Sequence, residues 1–124
     1  YPTAPLLSVD YIKKGFELLK ENEATSAFSV TTYAYPIFRS LKINKINRLE
    51  MIWKEYSEIR SQDLPKAYHD AGQFYWVDVK KYLKEKKIFS TDSIPVIIPR
   101  FLVQDIDTNH DWEFAERLYK ANEV

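Results

Sequence analysis

Two carboxylates stand two residues apart in Gln104-Asp105-Ile106-Asp107-Thr108, at the end of an apolar stretch. On extended chain Asp105 and Asp107 project from the same side, and such a pair suits a hard cation that carries a phosphate. The residues upstream favour extended chain. Ile94-Pro95-Val96-Ile97-Ile98-Pro99 and Phe101-Leu102-Val103 are too short, and too rich in β-branched residues and proline, for a helix. They predict a strand entering a buried sheet, with the carboxylates at its exit. Thr108, three residues before Asp111, is a capping-box-like start for a helix in which Trp112, Ala115, Leu118 and Tyr119 share one face.

The same residues also fit another pattern. Asp105, Asp107, Asn109, Asp111, Glu113 and Glu116 fall at positions one, three, five, seven, nine and twelve of an EF-hand calcium loop, which would make the chain a non-catalytic calcium- or partner-binding module. Against it, the sixth position is His110 where such a loop turns sharply on glycine, and Pro95 and Pro99 interrupt the segment where a helix should precede the loop. The plainest alternative is a set of solvated strand-end carboxylates with a helix N-terminal charge.

A second concentration of polar chemistry runs from Arg60 to Trp76. It begins as a polar loop and becomes an aromatic strand at Gly72. Arg60, Gln62, Tyr68, His69, Asp70, Gln73 and Tyr75 supply a guanidinium, amides and ring faces, the groups that hold hydroxyls and carboxylates and cover a sugar ring. An ordinary loop feeding a core strand would have the same composition. His69 and His110 are not spaced as a metal pair, and each suits a polar loop.

The elements that must position these groups are legible in outline. Tyr1-Pro2-Thr3-Ala4-Pro5-Leu6-Leu7 is a proline-rich loop leading into a helix with Ser8 as N-cap and Ile12, Phe16 and Leu19 on one face. Ala27-Phe28-Ser29-Val30-Thr31-Thr32 reads as a buried strand, so the opening is one half of a βαβ crossover. An α/β protein usually places a strand before such a loop, and the chain is expected to be a C-terminal portion of a longer protein. From Pro36, two apolar runs flank the Asn-rich connection at 44–47 and suggest a hairpin arm over 36–66, packed on a partner subunit or on an intrachain core. Asp78 caps a short helix bearing Val79, Tyr82 and Leu83, followed by a basic, solvated end at 84–87.

Composition excludes several classes. With 124 residues, 45% of them hydrophobic and 15% aromatic, the chain can build one core and not two. Lysine plus arginine equal aspartate plus glutamate at 18 each, so no net field draws the chain to nucleic acid or an anionic membrane. There is no cysteine, which removes disulfides and thiolate metal sites and is compatible with a reducing cytoplasm. No apolar run approaches the roughly 20 residues of a membrane span, and no signal-peptide pattern opens the chain.

Taken together, Tyr1-Pro2-Thr3-Ala4-Pro5-Leu6, the motifs Ser61-Gln62-Asp63-Leu64 and Tyr68-His69-Asp70-Ala71-Gly72-Gln73-Phe74-Tyr75-Trp76, and Val103-Gln104-Asp105-Ile106-Asp107-Thr108 resemble the C-terminal half of the acylneuraminate cytidylyltransferase family. The resemblance covers essentially the whole chain. It implies a three-layer α/β/α fold with a mostly parallel sheet, whose N-terminal nucleotide-binding part is missing here, and a hairpin arm exchanged across a homodimer. It implies a bacterial, cytoplasmic enzyme that uses CTP and magnesium to activate a nine-carbon 2-keto sugar acid, with release of pyrophosphate. The CMP-sugar would serve flagellin or surface glycan modification. By residue-by-residue transfer, Asp105 and Asp107 would hold the magnesium. Thr3, Arg60, Gln62, Tyr68, His69, Asp70, Gln73, Tyr75 and Gln104 would contact the sugar acid.

Departures from the family pattern narrow the substrate. Relatives that activate sialate tend to show Gln-Pro-Thr-Ser-Pro, Arg-Arg-Gln and Asn-Gly, where this chain has Tyr1-Pro2-Thr3-Ala4-Pro5, Arg60-Ser61-Gln62 and Ala71-Gly72. An arginine and two amides are replaced, which favours pseudaminate over sialate; a sibling enzyme for legionaminate or sialate is the alternative. The family's Gly-rich, basic CTP loop is absent, since the only glycines are Gly15 and Gly72 and neither sits in such a loop. The chain alone is therefore expected not to turn over CTP.

Overall fold

The computed structural model describes residues 1–122. It forms two compact units, one of residues 1–31 with 70–122 and one of residues 32–69.

The first unit is built on a mixed three-stranded sheet, an α/β arrangement. Helix α1 (Val9–Glu21) follows the proline-rich opening and leads into strand β1 (Ser26–Thr32). Ser8 holds the N-cap position with extended backbone but makes no side-chain capping bond. Strand β4 (Tyr68–Val77) lies on one side of β1 and strand β5 (Ser93–Ile97) on the other. β1 and β5 are parallel, with Ser26 opposite Ser93 and Val30 opposite Ile97. Among the described strands the sheet is mixed, which is compatible with the expected α/β fold. Helix α2 (Val79–Glu85) sits between β4 and β5, capped as expected by the Asp78 carboxylate accepting from the Lys81 amide at 2.9 Å. Helix α3 (Asn109–Asn122) closes the unit. No helix among the described residues is long and apolar enough to cross a membrane.

The core sits where α1 meets the sheet. Leu19, Ala24, Ala27 and Val96 are buried together, with Tyr11, Leu18, Phe74, Trp76 and Ile94 packed around them. Trp76 Nε1 donates to the Ile12 carbonyl at 2.8 Å and fastens β4 to α1. Gly15 lets the helix approach this closely: a Cβ there would stand 2.8 Å from Phe74 Cε2 and 3.0 Å from Trp76 Cδ1. Gly15→Ala is expected to destabilise the fold by about 1 kcal/mol, because overpacking outweighs the gain in helix propensity. A melting temperature equal to or above that of the parent would contradict this.

β1 is central yet strongly polar. Ser26, Ser29 and Thr31 are all buried, and Thr25 just ahead of it is too. Thr25 Oγ1 donates to Asp92 Oδ2 at 3.0 Å, and Thr31 Oγ1 donates to the Ile98 carbonyl at 2.8 Å. Ser26 Oγ donates to the Ile88 carbonyl at 2.7 Å. Ser29 Oγ accepts from the amides of Gln73 at 3.2 Å and Phe74 at 3.3 Å. Buried hydroxyls need such partners.

The second unit contains the hairpin. Strands β2 (Leu41–Ile43) and β3 (Leu49–Met51) are antiparallel, with Leu41 opposite Met51. The Asn44 side chain accepts from the amides of Ile46 and Arg48 at 3.2 and 2.9 Å, and Asn47 takes the left-handed conformation at φ 57°. Asparagine tolerates that conformation better than most residues. The strands are shorter than the apolar runs suggested: Ile37–Arg39 form a 3-10 turn, and β3 ends at Met51, ahead of the 3-10 turn Lys54–Tyr56. Phe38 packs its ring on Trp53 and Tyr56, at 5.5 and 4.8 Å between centroids.

Candidate functional site

The acidic segment does not leave a strand directly. β5 stops at Ile97, a 3-10 turn spans Arg100–Leu102, and residues 103–106 carry no regular structure before the bend at 107–108. Proline accounts for the change. Pro99, at φ −58°, cannot donate to a ladder and instead starts the turn, accepting from the Leu102 amide at 2.9 Å. The expected placement of Asp105 and Asp107 on one side of a strand is therefore corrected. Both are exposed residues of an irregular segment.

Contacts at both ends hold this segment instead. Downstream, Thr108 Oγ1 donates to Asp111 Oδ2 at 2.7 Å, the Thr108 amide donates to the same oxygen at 2.9 Å, and the Asp111 amide reaches back to Thr108 Oγ1 at 3.3 Å. This is the reciprocal capping expected at Thr108. The hydroxyl and amide of Thr108, with a smaller contribution from the Asp107 amide, hold the Asp111 carboxyl below the usual carboxylate range. The same geometry corrects the EF-hand alternative. Asn109, Asp111, Glu113 and Glu116 belong to α3, so they radiate around a helix and do not converge on an ion.

Upstream, the segment lies against β4. Gly72, inside that strand, has φ +63°, and a Cβ placed on it would stand 3.6 Å from Asp105 Cγ. β4 begins at Tyr68, four residues before the expected start at Gly72. Gly72 is instead the point where the strand bends and Asp105 comes close. Asp70 Oδ1 accepts from the Gly72 amide at 2.8 Å, and the Tyr75 hydroxyl donates to Asp70 Oδ2. Burial, reinforced by the bond and charge of Asp70, pushes the Tyr75 phenol far above its ordinary value. Tyr75 therefore keeps its proton and acts as a hydrogen-bond donor to Asp70. Because its folded value is raised, its contribution to stability is complete below the ordinary tyrosine range near pH 10 and is lost as pH rises through the folded value. Melting curves at pH 8 and pH 11 are expected to show a larger alkaline loss in the parent than in Tyr75→Phe. Equal losses would dismiss the effect.

Gln73, read from the sequence as a sugar contact, is 3% exposed, and its Nε2 donates to the Leu102 carbonyl at 2.6 Å. Its donor is thus engaged inside the protein. Gln104, also expected at the sugar, turns its Nε2 to the Asp105 carbonyl at 2.8 Å and to Asp111 Oδ1 at 3.4 Å. The opening segment arrives at the same place. Pro5 and Ile106 line one cleft of about 170 Å³ with Trp112, Ala115 and Tyr119, and the Tyr1 ring meets that of Tyr75 edge-on at 5.7 Å. Thr3 is exposed between them in sequence. In the first unit, then, the structure gathers the opening segment, the Asp70–Tyr75 part of β4 and the acidic segment.

The remaining sugar-contact candidates belong to the second unit. Gln62 is exposed in the 3-10 turn Ser61–Asp63 and lines a recess of about 290 Å³ with Tyr33, Tyr35 and Lys66. Arg60 pairs with Asp63 at 2.8 Å. Tyr68 is exposed, and the His69 ring packs on Tyr33 at 4.9 Å.

Sequence reasoning missed Gly72 as the bend beside Asp105, and Ser29 as the acceptor under Gln73. A glycine inside an aromatic strand is the signal that could have given the first. Nothing in the sequence marks the second.

For a metal, the donor set is two carboxylates. Among the described residues no group of three histidines and acids stands together. The Asp107 carboxylate makes no hydrogen bond or ion pair with a described residue, and Asp105 Oδ1 accepts only from the adjacent Ile106 amide, at 3.1 Å. Both are open to a ligand. Magnesium fits that chemistry, since it keeps several waters and commonly takes one or two carboxylates together with substrate phosphates.

No protein-family model matches the chain. It is 45% identical over 122 residues to the pseudaminic acid cytidylyltransferase of Campylobacter jejuni subsp. jejuni serotype O:2, a match that covers 98% of this chain and 53% of that protein. The protein of the same name from serotype O:23/36 is 44% identical over the same shares. A Helicobacter pylori protein named pseudaminic acid cytidylyltransferase and UDP-2,4-diacetamido-2,4,6-trideoxy-beta-L-altropyranose hydrolase is 34% identical over 107 residues, covering 86% of this chain and 20% of that protein. The chain spans about half the length of the two Campylobacter relatives. With nearly half of its residues shared along almost its whole length, the chain is a homologue of the pseudaminic acid cytidylyltransferases.

Proposed function

We propose that this chain forms part of a cytidylyltransferase that joins the CMP unit of CTP to pseudaminic acid and releases pyrophosphate. The identity of 45% along 98% of the chain with a protein of that name carries the proposal. The gathering of Asp105, Gly72 and the opening segment in one unit supports it.

In this reaction the sugar 2-hydroxyl oxygen attacks the α-phosphorus in line, the bond to pyrophosphate breaks, and the hydroxyl proton passes to solvent. Asp105 and Asp107 are the residues that would hold magnesium, whose chemistry when bound is to neutralise phosphate oxygens and lower the pKa of the attacking hydroxyl. The chain's own contribution is placement. The close approach at Gly72 sets Asp105, and the cap at Thr108 fixes the chain just beyond Asp107. Asp70 is oriented by Gly72 and Tyr75. Thr3 offers an exposed hydroxyl. Arg60, Gln62, Tyr68 and His69 are assigned to the sugar acid by resemblance.

CTP itself requires a backbone anion cradle, and we place that cradle outside these 124 residues, because Gly15 lies in a helix and Gly72 in a strand. We assign the hairpin, with Leu41, Ile43, Ile46 and Leu49 exposed, to a homodimer interface. The protein is assigned to the bacterial cytoplasm, and its product to flagellin or surface glycan modification. The test is pyrophosphate release and CMP-sugar formation from CTP and pseudaminic, legionaminic or sialic acid. Full-length protein is expected to prefer pseudaminic acid, and the 124-residue chain to be inactive. Preference for another sugar acid would correct the substrate; turnover by the 124-residue chain would place the CTP cradle within it.

A further inference from the structure

The acidic segment lacks ladder hydrogen bonds, so its position depends on a few anchors. One of them is Gln73. Its side chain is 3% exposed, its Nε2 donates to the Leu102 carbonyl at 2.6 Å, and its own backbone amide is held by Ser29 Oγ at 3.2 Å. Leu102 ends the 3-10 turn, and Asp105 follows three residues later. Gln73 also adjoins Gly72, against which Asp105 lies. A single side chain thus ties the bend of β4 to the base of the acidic segment. Its Oε1 is buried with no hydrogen-bond partner among the described residues, so within them the amide contributes through its donor alone.

We infer that Gln73 is a positioning residue for the metal site and not a sugar contact: its bond to Leu102 sets the distance of Asp105 and Asp107 from β4. This rests on the proposal that those two carboxylates take magnesium. Outer groups that orient ligands typically change metal affinity 10- to 100-fold when removed. Leucine at this position would abolish the donor and also the unpartnered oxygen, so folding should suffer less than metal binding.

The test uses the full-length protein with CTP and Mn2+ as the probe, free Mn2+ being counted by electron paramagnetic resonance. Gln73→Leu is expected to weaken Mn2+ binding about 10-fold or more. Gly15→Ala, which lowers stability in the helix, is expected to bind Mn2+ as the parent does. If Gln73→Leu does not fold, Gln73→Met, unbranched and of similar length, takes its place. Mn2+ affinity within twofold of the parent in the folded Gln73 variant overturns the inference, as does an equal loss in Gly15→Ala, which would make the effect one of general stability. Asp105→Ala separates the two levels. If it too binds Mn2+ like the parent, the metal assignment itself fails; if it alone loses affinity, only the role of Gln73 does.

Discussion

Asp105→Ala in the full-length protein is expected to lower CMP-sugar formation on the order of 10²- to 10³-fold, the usual consequence of removing one fixed charge-stabilising group from a transition state. Stability should hardly change. The side chain is exposed and, among the described residues, its one hydrogen bond comes from the neighbouring Ile106 amide, so its loss falls within about 0.5 kcal/mol. A loss of rate without a loss of melting temperature separates a ligand from a structural acid. Asp105→Asn keeps the shape and removes the charge, and should behave like alanine if charge is what the phosphates need. The Asp105→Ala, Asp107→Ala double variant should be little worse than either single one, because two ligands of one ion act as a unit. Wild-type rates in Asp105→Ala would remove the acidic segment from the chemistry altogether.

The second large effect is expected at Gly72. Its φ of +63° costs an L-residue about 1–2 kcal/mol, before any contact is considered. A Cβ there would meet Asp105 at ordinary van der Waals distance, 3.6 Å from Cγ, so alanine does not clash. It would put a methyl group against the carboxylate and take away water from that side. Gly72→Ala should therefore lose roughly 1–2 kcal/mol of stability together with part of its metal affinity. Gly72→Val, branched at the carbon that must turn left-handed, should lose more of both. Chemical denaturation combined with the Mn2+ count would measure the two losses separately. A stable Gly72→Val with unchanged Mn2+ binding would show that the bend and the carboxylate are unconnected.

These positions mark the limit of what could be read before the fold. Helix α1, strand β1, the Asp78 and Thr108 caps and the Asn-based hairpin were all legible, because each depends on spacing within a few residues. The acidic pair was found, but its setting was not. Ile94 to Val103 is apolar enough to pass for one long strand, and only the folded chain reveals that Pro99 diverts it into a 3-10 turn. Gln73 illustrates the converse difficulty. A glutamine amid aromatic residues looks like a ligand group, and its burial against Leu102 depends on two segments 29 residues apart. The resemblance to a family could supply residue roles, but not which of those residues face inward.

β1 has a further consequence. Apolar packing is tolerant of small slides, since one methyl group serves nearly as well as another. The hydroxyls of Ser26, Ser29 and Thr31 are not, because each is matched to particular neighbours: Ser26 to Ile88 and Ser93, Ser29 to Gln73 and Phe74 on β4, and Thr31 to Ile98 just past β5. Moving β1 by one residue would turn every one of them away from its partner at once. The strand therefore works as a register lock: it fixes how far β4 and β5 are offset along the sheet, and with that offset the alignment of the Gly72 bend with the chain that leaves β5.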